Sequence, residues 1–296
     1  MGKDVTLSAM AEAWRGRGRM IEACGKRVFV VDEGSEGGTP LLVLHGFPTS
    51  SYDFQHVWPA LSARRRVVAL DFPGFGFSAK PADFSYSLLE QADVVEVVAR
   101  QLGLSRVHLW AHDMGTSVAT ELLARRENGL LGFEIEKLVL MNGSIHAEMA
   151  HLTPSQKLLL RPRLGPFFAR IASRATYRWQ LERILARPVA EEEIDDQFTL
   201  LRHDGGHLNL PRIILYYPER KRFRNRWIGP LERLDLPALI LWGDRDPIAI
   251  FAIAEKLAGE IPGSKLVRLE GVGHFPQLEA PAEVVAAIEA FLAAGA

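Results

Sequence analysis

A carboxylate stands where a strand would turn into a helix, in Val107-His-Leu-Trp-Ala111-His-Asp113-Met-Gly115. The small residues Ala111 and Gly115 lie two positions either side of Asp113. Small neighbours permit a tight turn that leaves the middle residue clear of the sheet, poised to attack. Aspartate in that place suits displacement at saturated carbon, because attack on an ester or amide carbonyl would give a mixed anhydride that reverts. Five residues alone are weak evidence, since a polar residue capping a helix explains most aspartates so placed.

Three other segments change that balance. His45-Gly46-Phe47-Pro48 follows the apolar run LLVL and can offer the Phe47 amide to a developing oxyanion, with the Met114 amide as second donor. Asp246 follows LILWG, and His274 lies in the glycine-rich Gly271-Val-Gly273-His274 after the last apolar run. The chain order is then nucleophile, acid, histidine. Asp244 is the rival acid two residues away. A lone loop histidine is usually structural, but four motifs in order, each after a strand, argue against that reading. The turn Asp71-Phe-Pro-Gly74-Phe-Gly76-Phe-Ser78 reads as loop-shaping only.

These residues need a sheet beneath them. Apolar runs at 27–32, 41–44, 67–70, 107–110, 138–141, 238–242 and 266–269 read as strands, with turn residues after most of them. Helical spacing covers 86–102, 116–125, 252–257 and 281–292, with Pro281 suited to a first turn. Such alternation predicts an α/β fold with a mostly parallel sheet flanked by helices. It breaks between 146 and 230, where Arg, Leu, Phe and Trp recur at helical spacing between prolines at 154, 162, 166, 188, 211 and 218. That stretch reads as an inserted all-helical cap, leaving residues 1–145 and 231–296 as a discontinuous core.

The 296 residues suit one large domain, and the 35 basic against 36 acidic side chains provide no global field to draw nucleic acid. The lone cysteine, Cys24, excludes an intrachain disulfide and a cysteine-built metal site. No apolar run reaches the ~18 residues of a membrane span, and the amino terminus lacks a signal-peptide run and a good myristoylation motif. The expectation is a soluble, cytoplasmic monomer or homodimer without metal or cofactor, acting on a small apolar electrophile and water.

The motifs together resemble the α/β-hydrolase superfamily, in the branch of epoxide hydrolases and haloalkane dehalogenases. The strings LHGFPTSSYDF, ALDFPGFGFSAKP, KRFRNRWIGPL and HFPQLEAP most resemble a single member of that branch. The resemblance runs from about residue 20 to 293. It implies two steps: Asp113 is alkylated, then His274, oriented by Asp246, activates water against the ester. Dehalogenases of the branch hold halide with Asn after His-Gly and Trp after the nucleophile. Here those positions are Phe47 and Met114, which have no side-chain donor, and losing one such donor costs about 3 kcal/mol.

An epoxide oxygen needs a proton instead, which relatives take from cap tyrosines. Tyr216 best matches that position, with Tyr177 and Tyr217 as alternatives, and each also reads as a half-buried structural tyrosine. Asn142 can orient water at another strand end. His45, Asn142, Tyr177, Tyr217, Trp179 and Phe275 are candidate pocket residues, and Phe47, Met114, Phe167 and Phe168 add apolar wall. The basic run of Arg220, Lys221, Arg222, Arg224 and Arg226 reads as a solvated face. An epoxide hydrolase is the first expectation. A haloalkane dehalogenase is the second, and a binding or signalling protein that kept the fold is the third.

Overall fold

The structure, a computed structural model, describes residues 7–35 and 37–294; the Met1-Gly2 motif considered for acylation lies outside them. Eight strands form one sheet: β1 (Gly18–Ala23), β2 (Lys26–Glu33), β3 (Leu41–Leu44), β4 (Val67–Leu70), β5 (Arg106–His112), β6 (Glu134–Met141), β7 (Ala238–Gly243) and β8 (Lys265–Leu269). Their order is β1-β2-β4-β3-β5-β6-β7-β8, with β1 and β2 antiparallel to their neighbours and the rest parallel.

Strand β1 was not anticipated. It buries only Ile21 and Ala23, so its apolar alternation is faint at the sheet edge. Its hairpin to β2 turns through Cys24 and Gly25, both with positive φ, the geometry of a two-residue hairpin turn. The central parallel strands are apolar on both faces because both are covered, whereas edge strand β8 is only partly buried. On one face Leu42, Leu44, Leu109, Ala111, Leu138 and Ile240 meet helices 88–101, 114–127 and 251–260. On the other, Leu41, Val43, Trp110, Val139 and Leu239 meet helices 9–17, 58–62 and 281–293. The alternation follows from successive side chains pointing to opposite faces.

Between β6 and β7 the described chain makes only helices, from Pro154 to Glu232. Pro154 and Pro211 sit in first turns, where a missing N–H costs nothing. Helix Arg224–Glu232 returns against helix Met114–Glu127 through the fully buried Glu121. That carboxylate accepts two bonds from Arg226 at 2.7 Å each, one from Trp227 Nε1 at 2.9 Å and one from Arg125 at 3.0 Å.

A second junction is acidic. Helix Glu191–Arg202 brings Glu193 and Asp196 to Asp53 in the turn after β3, and all three are buried. Gln197 Nε2 donates to Asp53 Oδ1 (2.8 Å) and Glu193 Oε1 (3.1 Å), and Tyr52 donates to Asp196 (2.6 Å). Burial pushes the Asp53 carboxyl well above the usual range, and Glu193 and Asp71 push the same way against hydrogen bonds from Thr49 and Gln197. The folded chain therefore holds this proton more tightly than the unfolded chain. Stability drains away as pH rises from about 4 through the raised folded value. Asp53→Asn, which stays neutral, is expected to melt about 2 °C or more above the parent at pH 8, with the gap closing toward pH 4. Thermal melts across that range check this.

Candidate active site

The carboxyl ends of β3, β5, β6, β7 and β8 share one edge of the sheet, so the residues following them meet. Leu44 pairs with Ala111, which sets the loop after β3 beside the turn after β5. In that turn Asp113 holds φ 44° and ψ −113°, outside the regions open to ordinary residues. Strain of this kind costs about 1–3 kcal/mol and persists where surroundings enforce it. Thr116 donates from its hydroxyl (2.6 Å) and its amide (3.1 Å) to the Asp113 carbonyl, and Asp113 N–H donates to Met141 O (3.2 Å).

Glycine is required on both sides of the turn by close approach. A Cβ at Gly46 would lie 2.6 Å from Asp113 Cβ, and one at Gly115 would lie 2.5 Å from Leu44 O. That proximity lets the Phe47 amide donate to Asp113 Oδ2 at 2.8 Å. The other oxygen, Oδ1, lies 3.9 Å from His274 Nε2.

His274 Nδ1 bonds Asp246 Oδ2 at 2.7 Å. Asp246 also accepts from the amides of Ile248 (2.7 Å) and Ala249 (3.0 Å) and from Asn142 Nδ2 (2.8 Å). Asp244 instead pairs with Arg268 (2.6 Å) and the Gly271 amide (2.8 Å), away from the histidine. Burial opposes charge on His274, but Asp246 and then Asp113 and Glu279 outweigh it, pushing the imidazole up to about 9.

Residues that carried no role in the sequence reading hold this arrangement. His112 bonds the His274 carbonyl through Nε2 (2.8 Å), and its Nδ1 faces Gln277 Nε2 at 3.3 Å. Burial, helped by His274, lowers it to about 4, so it stays neutral, with one ring nitrogen donating and the other accepting. Glu279 accepts from the amides of Gly273 (2.8 Å), Phe275 (3.1 Å), Ala186 (2.7 Å) and Arg187 (2.9 Å). It thus ties the histidine loop to the inserted segment. Its only signal in the sequence was its place in HFPQLEAP.

Arg220 corrects the reading of the basic run. It is 3% exposed rather than solvated. Its Nε donates to Ser117 Oγ at 2.6 Å, Nη2 reaches the Asp113 carbonyl at 3.4 Å, and the guanidinium lies 4.5 Å from the Tyr216 ring centre. No carboxylate lies within ion-pair distance of it among the described residues. Helix Tyr216–Arg222 is short and turns this one position of the run inward. Lys221 and Arg222 instead cover Tyr217 and Phe223.

A cavity of about 80 Å³, enough for a few waters or a small ligand, opens between the strand-end loops and the inserted helices. Phe47, His274 and Phe275 form its floor, and Leu159, Phe168, Tyr177 and Leu181 are among its other walls. Several expected pocket residues do not border it. His45 is buried in loop contacts, its Nε2 accepting from the Phe72 amide (3.0 Å). Asn142 is occupied with Asp246, Gly243 and Gly273. Tyr217 donates to Ala147 O at 2.9 Å. Met114 is buried away from the cavity, Phe167 is 63% exposed and Trp179 is 50% exposed. Each of these is turned by its helix or by a hydrogen bond that local spacing does not reveal.

Among the tyrosines, Tyr177 borders the cavity and its hydroxyl has no hydrogen-bond partner among the described residues. Tyr216 packs on Phe47, ring centres 5.6 Å apart, and is buried. Both phenols are raised by burial first. Asp113 raises Tyr216 further while Arg220 lowers it; Asp53 and Glu193 raise Tyr177. No group of three or more His, Cys, Asp or Glu among the described residues is placed to hold a metal.

The family model for the alpha/beta hydrolase fold matches residues 39–281. The chain is 42% identical to the putative hydrolase LipZ of Mycobacterium tuberculosis over 93% of its own length and 95% of that protein's. It is 37% identical to the mesoderm-specific transcript protein of Mus musculus, covering 93% and 85% of the two chains. In structure it is similar to a putative lipase from Acinetobacter baumannii, with a TM-score of 0.82, 21% identity, and 99% and 97% of the two chains covered. A family match over most of the length, relatives above 30% identity and a strained strand-to-helix turn above a parallel sheet agree: this chain belongs to the α/β-hydrolase family.

Proposed function

We propose that this hydrolase works through Asp113 as nucleophile and converts epoxides to vicinal diols. The observation that carries the reading is the Asp113 carboxylate itself, with Oδ2 held by the Phe47 amide at 2.8 Å and Oδ1 turned toward His274 at 3.9 Å. Oδ1 attacks an epoxide carbon, the ring C–O bond breaks, and the oxygen takes a proton. An ester joins Asp113 to the substrate. Water, losing a proton to His274, then attacks the ester carbonyl, whose oxygen lies at the Phe47 amide. The ester breaks to release diol.

The charges suit that order. While Asp113 is ionised it helps hold the imidazole at about 9. Alkylation removes that charge, so the histidine's proton affinity falls just when a base is needed. Tyr216 is the favoured proton donor. Arg220 against its ring favours the developing phenolate, and the opposing Asp113 charge disappears on alkylation. Tyr177 borders the cavity, but burial first, and then Asp53 and Glu193, hold its phenol well above the usual range, with no cation beside its ring to favour phenolate among the described residues. Halide release is disfavoured because Phe47 and Met114 bring no side-chain donor to a leaving ion.

A single turnover in heavy-oxygen water is expected to place label on the Asp113 carboxylate. Label appearing only in first-turnover diol would sink the mechanism. His274→Ala should trap the ester as an intact-mass adduct, and Asp113→Ala should cut turnover by about 10⁴-fold or more. In the parent, breakdown of the ester formed in a single turnover is expected to rise with pH to a plateau, with its midpoint below about 9; a rate that falls with pH would exclude a histidine base. Tyr216→Phe should slow ester formation about 100-fold and Tyr177→Phe less than tenfold, and the reverse ranking would move the donor to Tyr177.

A further inference from the structure

The charge of this chain is unevenly spread. Residues 151–190 hold Lys157 and seven arginines against a single acid, Glu182, although the whole chain is nearly neutral. Some of those cations are neutralised locally. Arg174 pairs with Glu191 and Asp195, Arg178 with Glu182 and Glu191, and Arg187 with Glu283. Arg161, Arg163 and Arg170 are exposed and have no acidic partner among the described residues.

Those three arginines flank helix Leu164–Ile171 or lie on it. The helix is apolar on both sides. Gly165 and Ala169 are buried and Phe168 lines the cavity, as a packed helix requires. Yet Leu164, Phe167 and Ile171 are 54%, 63% and 57% exposed. At about 100° per residue, positions i, i+3 and i+7 fall on one face, so the three form a single apolar stripe facing water. Trp179, on the next helix, is 50% exposed with Arg183 stacked 4.6 Å from its ring centre. Monomeric soluble proteins rarely leave large apolar side chains grouped in this way without a partner.

We propose that this face docks the protein on an anionic lipid surface. Leu164, Phe167 and Ile171 enter the boundary between headgroups and acyl chains, and Arg161, Arg163 and Arg170 meet lipid phosphates. An apolar stripe edged by arginines on a short helix is the pattern of an interfacial anchor, not of a membrane span. No helix of the described residues is long and apolar enough to span. A second copy of the chain fits the face poorly, because a two-fold pairing would set the same unpaired arginines against each other. The position adds a reason for lipid. The inner side of the same helix roofs the cavity. A second cavity beside Trp179 and Arg183 shares walls with the first at Thr153, Ser155, Gln180, Ile184 and Ile248. A molecule dissolved in the bilayer thus has a short path to the cavity, whatever reaction the site performs.

Vesicle sedimentation tests the proposal. The full chain is expected to bind vesicles containing phosphatidylglycerol, to bind pure phosphatidylcholine vesicles about tenfold less, and to lose binding as salt rises. Phe167→Ser/Ile171→Ser and Arg161→Glu/Arg163→Glu/Arg170→Glu should each cut binding about tenfold or more, with unchanged circular dichroism and melting temperature. Failure of the parent to bind anionic vesicles overturns the proposal. So does equal, salt-insensitive binding to both vesicle types, or full binding by either variant. A dimer in lipid-free light scattering that dissociates in the Phe167→Ser/Ile171→Ser variant would assign the face to a second copy instead.

Discussion

The upper edge of this molecule depends on one close approach, that of the loop after β3 to the turn after β5. With glycine at 46 and 115, backbone comes within contact of backbone, and the Phe47 amide reaches the Asp113 carboxylate. A single methyl at Gly46 would lie on Asp113 itself. The strained dihedrals of Asp113 follow from the same constraint, because the chain must reverse from strand to helix under a neighbouring loop. Asn142 repeats the positive φ at the next strand end, and its amide group bridges Asp246, Gly243 and Gly273. Three strand ends are thereby held in register around one imidazole.

Electrostatics around that imidazole are arranged in layers. Asp246 and Asp113 both favour the charged ring, and burial opposes them. Behind the turn lies Arg220, a buried cation whose partners are a hydroxyl, a carbonyl and the face of Tyr216. A buried charge without a counter-ion is costly. The hydrogen bonds and the ring contact offset part of that cost, and its position sets a positive charge beside the Asp113 backbone.

The inserted helices are attached by polar joints rather than by apolar packing alone. Glu121 gathers Arg226 and Trp227, Glu279 gathers four amides, and the Asp53, Glu193 and Asp196 cluster joins the turn after β3 to helix Glu191–Arg202. These joints leave helix Leu164–Ile171 with its inner side on the cavity and its outer apolar stripe uncovered.

Much of this was readable along the chain. Two-sided apolar runs mark buried parallel strands, and the small-x-Asp-x-small pattern with Asp246 and His274 after later strands marks the site, because strand ends in such sheets converge wherever the chain goes between them. Edge strand β1 escaped, since it buries two residues only. The choice between Asp244 and Asp246 had no local answer: both follow the same strand, and only the fold brings one to His274 and the other to Arg268. Arg220 and Phe167 were each assigned the wrong side of the surface for a related reason. Composition says that a segment is basic or apolar, but which way a short helix turns each residue depends on what packs against it. The sequence by itself determined the sheet and the order of the candidate site residues, through periodicity and spacing. Only the tertiary structure decided which side chains are buried at the site and which face water, because burial is set by neighbours far away in the chain.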